Sequence, residues 1–123
     1  MTAVRHPIVY VVDDEPSIRR YLGVALTECG CAVSLFGQAT AAVEAATRVL
    51  PDLVLLDWMM PGLNGAQAIA ALRQVGCAKI VVCSAMVLPT DVERIRAAGP
   101  DDFLAKPCTI DDLEIGLRRW IAR

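Results

Sequence analysis

Short, unbroken apolar runs alternate along the chain with longer stretches in which apolar residues recur at helical spacing. Three runs are strongly apolar throughout, which is typical of parallel strands covered on both faces. Two weaker runs complete the set and predict the edges of the sheet. The five predicted strands are residues 8–12, 32–36, 53–56, 80–83 and 102–105.

Five amphipathic segments follow the strands, and cap residues mark where they begin. Pro16 suits the first position of the first helix, because its missing N–H is not needed there. Asn64 and Thr109 are predicted N-caps of the third and fifth helices, and Thr90 with Glu93 has capping-box spacing at the fourth. The predicted helices cover residues 16–29, 40–49, 65–75, 91–98 and 110–121.

Strand and helix therefore alternate five times with short connections. Such an order predicts a doubly wound α/β domain, because right-handed crossovers place helices on both faces of a parallel sheet. No internal repeat, low-complexity segment or linker interrupts the pattern. We predict a single domain over residues 1–123.

Composition narrows the possible partners and compartments. The 12 Lys+Arg and 14 Asp+Glu residues nearly balance, so we expect no direct binding to nucleic acid or to an anionic membrane. Neither a membrane-spanning run nor a signal peptide is predicted. The 5 cysteines are odd in number and form no CxxC pair, which indicates thiols in a reducing, cytoplasmic setting rather than disulfides or a zinc site.

Polar side chains follow the predicted strands at the end where a parallel sheet binds its ligands. Asp13 and Asp14 follow the first strand, Asp57 the third, Ser84 the fourth and Lys106 the fifth. Each has an ordinary interpretation by itself, as a helix-starting acid, a strand stop or a solvated cation. Their joint placement at one edge favours a functional site.

The chemistry of such a cluster follows from its charges. Neighbouring carboxylates repel one another unless a cation neutralises them, and oxygen ligands of this kind suit Mg²⁺. Zinc and copper are disfavoured, since no histidine or cysteine joins the set. One carboxylate could then attack phosphorus to form an acyl phosphate, with the lysine and the hydroxyl stabilising the phosphoryl oxygens.

At these residues the chain resembles the receiver domains of two-component response regulators, including the single-domain chemotaxis receiver. The resemblance covers nearly the whole chain. It implies a flavodoxin-like strand order of 2-1-3-4-5. The matching segments are Asp13-Asp14, Asp57-Trp58-Met59-Met60-Pro61-Gly62 with Gly65, Ser84-Ala85, and residues 99–107 with Lys106-Pro107.

The resemblance implies a role for each matching position. Asp57 would accept a phosphoryl group from a histidine kinase or phosphotransfer protein. Asp14 and Asp57 would bind Mg²⁺ directly, Asp13 largely through water, and Met59 through its backbone carbonyl. Lys106 would pair with the phosphoryl oxygens, and its bond to Pro107 would be cis.

The resemblance also implies a conformational switch. The hydroxyl of Ser84 would move onto the phosphoryl group, and Phe103 would turn inward into the vacated space. The partner-binding face of helix 4, strand 5 and helix 5 would change as a result. Phe103 has no hydroxyl to satisfy inside, which favours burial of the ring even before phosphorylation.

The leading prediction is a signalling switch rather than an enzyme, one that assists only its own phosphorylation and dephosphorylation. Its expected partners are the phosphodonor, a downstream protein and, through the helix 4–strand 5–helix 5 face, a second copy. The fifth predicted helix reaches almost to Arg123, so we expect no output domain here. A receiver domain excised from a longer regulator with a DNA-binding or enzymatic output domain would show the same sequence pattern.

Other classes fit less well. A phosphohydrolase with an aspartyl phosphate usually has a second Asp where Met59 stands. A flavin or nucleotide module would need a phosphate loop where Asp14-Glu15-Pro16 would repel an anion. No GxxxxGK[ST] motif supports a nucleotide hydrolase, and a degenerate receiver is disfavoured because every active-site position is filled.

Overall fold

A five-stranded parallel sheet forms the centre of the protein. The structure, a computed structural model, describes residues 6–60, 62–85 and 88–121. The strand order is β2-β1-β3-β4-β5, as the family resemblance implied. The strands are β1 (Ile8–Val12), β2 (Ala32–Phe36), β3 (Leu53–Asp57), β4 (Ile80–Ser84) and β5 (Asp102–Ala105).

Five helices connect the strands and cover both faces of the sheet. Odd-numbered residues of β1, β3 and β4 pack beneath the first and fifth helices. Even-numbered residues of the same strands pack beneath the second, third and fourth. The central strands therefore need apolar residues at every position, which is why their runs are unbroken. The helices are α1 (Pro16–Glu28), α2 (Ala39–Ala46), α3 (Gly65–Gln74), α4 (Pro89–Ala97) and α5 (Ile110–Trp120).

Two of the predicted helix caps are confirmed. The side chain of Asn64 accepts from the backbone N–H of Gln67, and Thr109 accepts from that of Asp112. In both cases the second residue bonds back to the cap, which completes a capping box. These caps fix where α3 and α5 leave the edge of the sheet that carries the predicted polar cluster.

Two predicted helix boundaries were wrong. The fourth helix begins at Pro89 with Leu88 as its N-cap, so Thr90 lies inside its first turn. Proline is preorganised for the first helical position, and this preference outweighed the capping-box spacing. The second helix ends at Ala46, where the Thr47 hydroxyl donates to the carbonyl of Glu44 and the chain turns towards Pro51.

The described part of the chain has neither a disulfide nor a bilayer-spanning helix. Its five cysteines are all in the thiol form, and four of them are buried. None of its helices has the length and apolar content that a membrane crossing requires.

Candidate functional site

Two buried carboxylates lie at the carboxyl edge of the sheet. Asp13 directly follows β1 and Asp57 is the last residue of β3, and their exposures are only 2% and 7%. Asp14, the next residue along, is exposed to solvent. Because β1 and β3 are neighbouring parallel strands, their ends bring these acids to one point from positions 44 residues apart in the sequence.

Lys106 forms an ion pair with each of the two buried acids. Its Nζ lies 2.7 Å from Oδ2 of Asp13 and 3.2 Å from Oδ1 of Asp57. Its backbone N–H donates to the carbonyl of Ser84 at 2.9 Å, which fixes the end of β5 against the end of β4. The Lys106–Pro107 peptide bond is cis, as predicted. The sequence-predicted acids and lysine therefore meet in one cluster.

Backbone contacts hold Asp13 in place. Its N–H donates to the carbonyl of Phe36 at 3.0 Å, and its Oδ1 accepts from the N–H of Glu15 at 2.9 Å. Nη1 of Arg19 donates to the carbonyl of Asp13 at 2.8 Å. Sequence reasoning missed Arg19, because no motif spacing distinguishes a residue on the first turn of α1 that bonds to a main-chain oxygen.

Met59 lies beside the end of β3, with its side chain directed away from the core. Its backbone N–H donates to Oδ1 of Asp57 at 3.3 Å. The Met59 side chain is 62% exposed, so it is available to whatever approaches the site. Pro61, which belongs to the same matching segment, lies outside the described residues.

The buried charges shift the pKa values of the cluster. Burial raises the pKa of Asp57, repulsion from Asp13 raises it further, and Lys106 offsets only part of this. Burial alone would lower the pKa of Lys106, but its bonds to Asp13 and Asp57 outweigh that effect and raise it. At neutral pH the protein therefore holds an ionised Asp57 at a cost to folding stability.

We predict that Asp57→Asn stabilises the metal-free protein, raising Tm by a few degrees near pH 7. The folded-state pKa of Asp57 is raised, so its destabilising effect is full above that pKa and disappears below the unfolded-state value. The difference in Tm between the variant and the wild type should therefore shrink as pH falls into the range where free carboxyls titrate. Thermal unfolding in EDTA at several pH values measures it, and a variant less stable than the wild type at pH 7 would contradict the prediction.

The predicted switch residues lie on the two strands β4 and β5, on the far side of β3 from β1. Ser84 is the last residue of β4 and has no exposed surface. Phe103 pairs with Val82 of β4 and is partly buried against the core beneath α4. A cleft of about 270 Å³ lies beside Phe103, between β5 and α4, lined also by Val92 and Ile95. Phe103 is thus partly buried in this structure.

The acidic cluster has the composition of a site for a hard divalent cation. Asp13, Asp14 and Asp57 each offer a carboxylate oxygen, and these oxygens lie within 4.8 Å of one another. An all-oxygen donor set of this kind fits Mg²⁺ better than zinc or copper. The raised pKa of Asp57 comes from burial first and from repulsion by Asp13 second, and a bound cation would oppose both by favouring the ionised carboxylate.

Comparisons with known proteins agree with this geometry. A sequence model of the response regulator receiver domain matches residues 9–118. The transcriptional regulatory protein KdpE of Mycobacterium tuberculosis is 34% identical over 116 residues, which cover 94% of this chain and 51% of that protein. The chain thus spans about half the length of the curated relatives it matches.

Solved structures show the same fold over nearly the whole chain. The receiver domain of the sensor histidine kinase PA1611 from Pseudomonas aeruginosa PAO1, which has a magnesium ion coordinated in its active-site cleft, is 30% identical. It aligns with a TM-score of 0.85 over 97% of this chain and 100% of that one. The chemotaxis protein CheY4 of Vibrio cholerae is 25% identical, with a TM-score of 0.87 over 95% and 100% of the two chains. The chain therefore belongs to the receiver domains of response regulators.

Proposed function

We propose that this receiver domain is a phosphorylatable switch whose acceptor is Asp57. The phosphoryl group would come from a histidine kinase or a phosphotransfer protein, in a reaction that needs Mg²⁺. The observation that carries the proposal is the buried Asp57 carboxylate, which has Lys106 on one side and two further acids within metal-sharing distance.

In the proposed reaction, an Asp57 oxygen attacks the phosphorus of a phosphohistidine. The P–N bond breaks, and the histidine nitrogen leaves with the electron pair and takes up a proton. Asp14 and Asp57 would hold Mg²⁺ directly, Asp13 through water, and the Met59 carbonyl would complete the protein ligands; the ion supplies positive charge to the phosphoryl oxygens. Lys106, which already bridges Asp13 and Asp57, would pair with a phosphoryl oxygen.

The proposed switch couples this chemistry to a protein-binding face. Ser84 would donate its hydroxyl to the phosphoryl group, and Phe103 would turn further into the core beneath α4. The face formed by α4, β5 and α5 would change, because Phe103 lies on β5 between the two helices in sequence. A downstream protein or a second copy of the chain would read that face, with no nucleic acid or membrane contact by this domain. Such a domain acts in signalling, in the cytoplasm, and not as an enzyme on other substrates.

Two arrangements of the native protein are compatible with its relatives. KdpE and the DNA-binding response regulator MtrA of Mycolicibacterium smegmatis are about twice as long as the regions that match this chain. We propose that residues 1–123 form one receiver domain, and the length of these relatives is compatible with its attachment to a DNA-binding or enzymatic output domain.

Phosphorylation with a small donor tests the proposal. The protein is incubated with acetyl phosphate or phosphoramidate and Mg²⁺, and its intact mass should rise by one phosphoryl group. The same mixture with EDTA should leave the mass unchanged. Tryptophan emission should respond to Mg²⁺ and to beryllofluoride, since Trp58 directly follows Asp57. Absence of a mass change with both donors, together with no beryllofluoride response, would refute the proposed function.

We predict that Met59→Asn shortens the lifetime of the phosphorylated form. The exposed methionine cannot orient an attacking water, whereas an amide at this position can hydrogen-bond to one. We expect dephosphorylation to become faster by up to about tenfold, the effect of roughly 1.4 kcal/mol on a barrier. The decay of the phosphorylated mass after donor removal measures the rate, with Met60→Asn as the neighbouring control. An unchanged rate would contradict the prediction.

A further inference from the structure

Two cysteines lie together in the core next to the site. Cys83 precedes Ser84 on β4, and Cys108 follows Lys106 by two residues. Both are buried in the same cluster beneath α1 and α5. The side chains of Cys83 and Cys108 interact with each other, and the Cys108 thiol donates to the carbonyl of Ala105 at 3.6 Å. The two sulfurs are therefore neighbours, although their positions in the sequence are 25 residues apart.

The two thiols differ in how they can be reached. Cys108 lines a cleft of about 600 Å³ between α1 and the connection from β5 to α5. Lys106 and Tyr21 line the same cleft, and the Tyr21 hydroxyl donates to the carbonyl of Cys108 at 3.0 Å. Cys83 does not line the cleft and is 2% exposed. A small oxidant can approach Cys108 from the cleft, with Cys83 on the inner side.

The local electrostatics favour reaction at the same sulfur. The interaction with Cys83 lowers the pKa of Cys108 against the opposing effects of burial and of the charge of Asp112, and the charge of Lys106 lowers it further. Cys108 is also the thiol that the cleft reaches, so Cys108 is the nucleophile of the pair and Cys83 supplies the second sulfur.

We propose that Cys108 and Cys83 form an oxidation-sensitive dithiol, in which a peroxide oxidises Cys108 and Cys83 then closes a disulfide. The Cys108 thiolate attacks one oxygen of hydrogen peroxide, the O–O bond breaks, and the departing hydroxide is protonated to water. This gives a sulfenic acid, oxidised by two electrons. The sulfur of Cys83 then attacks that of Cys108, and the S–O bond breaks. The second hydroxide leaves as water with the Cys83 proton, so two thiols and one peroxide give one disulfide and two waters.

A disulfide here would act on the phosphorylation site. Disulfide formation brings the sulfurs to about 2.05 Å, well inside non-bonded contact. Cys83 is bonded to Ser84 and Cys108 is two residues from Lys106, so this contraction pulls on both residues that contact the phosphoryl group in the proposed function. The expected consequence is slower phosphorylation of the oxidised protein, a part of the inference that rests on the proposed function.

Peptide mapping tests the dithiol without reference to phosphorylation. Reduced wild-type protein is treated with stoichiometric hydrogen peroxide and digested under non-reducing conditions. We expect a linked Cys83–Cys108 peptide pair, lost on adding dithiothreitol. Cys83→Ala should stop at the sulfenic acid, trapped on Cys108 by dimedone, whereas Cys108→Ala should leave Cys83 unmodified. Cys77→Ala, which removes a buried thiol from the opposite face of the sheet, should behave as the wild type.

The outcomes separate the two proposals. The dithiol proposal is overturned if Cys108 of the wild-type protein is oxidised no faster than Cys77, or if no Cys83–Cys108 link forms. Either result holds whether or not Asp57 is phosphorylated. Linkage together with slower acetyl phosphate labelling that dithiothreitol restores supports the whole inference. Linkage with an unchanged labelling rate overturns its effect on the site. Linkage in a protein that is never labelled, even when reduced, supports the dithiol and counts against the proposed function.

Discussion

Asp57→Asn is expected to abolish phosphoryl acceptance, leaving the intact mass unchanged under conditions that modify the wild type completely. An amide oxygen is a far weaker nucleophile than a carboxylate and cannot give the acyl phosphate. The remaining groups do not replace it. Asp13 is bonded to Lys106 and to the N–H of Glu15, and Asp14 lies on the exposed side of the cluster. Intact mass after incubation with acetyl phosphate and Mg²⁺ measures the result.

Two controls make the loss interpretable. Asp111→Asn changes the same chemical group on the exposed first turn of α5, and it should be labelled at the wild-type rate. The Asp57→Asn variant should also melt at a higher temperature than the metal-free wild type, so its lack of labelling cannot come from unfolding. Labelling that survives in Asp57→Asn would move the acceptor to another residue and would remove the basis of the proposed function.

The central sheet and its acidic edge were accessible from the sequence. A strand buried on both faces must be apolar at every position, so β1, β3 and β4 stand out as unbroken runs. Ligand sites of parallel sheets lie at the carboxyl ends of the strands, so the acids that end the runs could be assigned to one edge. The proximity of Asp13 and Asp57 could be predicted without any measured distance, because adjacent parallel strands bring their ends together.

Contacts that depend on side-chain direction were not accessible in this way. Nothing in the spacing of Arg19 indicates that it bonds to the carbonyl of Asp13. Cys83 and Cys108 each match the pattern of a small buried residue, and only the fold places β4 and the connection from β5 to α5 in the same core cluster. The start of α4 was also misplaced, since Pro89 and Thr90 both favour a helix beginning and only the fold decides between them.

The closer approach of Lys106 to Asp13 than to Asp57 also required the structure. Nζ lies 0.5 Å nearer to Asp13, from distances of 2.7 Å and 3.2 Å. Asp13, the more buried acid, therefore has the closer contact with Lys106, while burial and repulsion from Asp13 raise the pKa of Asp57. In the proposed function the two acids have different roles: Asp57 reacts with the phosphoryl group, and Asp13 holds Lys106 in place.

Lys106→Met is expected to slow phosphorylation by about 100-fold or more, the usual effect of removing one group that stabilises a developing oxyanion. Methionine keeps much of the length of the side chain but removes the charge and the donors. The matched control is Lys79→Met, since Lys79 is the other lysine of the chain and precedes β4 at the opposite edge of the sheet. Initial rates of mass gain with acetyl phosphate at saturating Mg²⁺ measure the effect.

The same substitution should strengthen Mg²⁺ binding while it weakens phosphorylation. In the wild type, the Lys106 ammonium lies within 3.2 Å of two carboxylates of the proposed metal site and repels an incoming cation. Its removal leaves Asp13 and Asp57 without a neutralising partner, so the midpoint of a Mg²⁺ titration followed by tryptophan emission should move to lower concentration. A general loss of structure would weaken both properties together. Weaker Mg²⁺ binding in a folded Lys106→Met protein, or phosphorylation at the Lys79→Met rate, would show that the lysine does not act on the charges of this site.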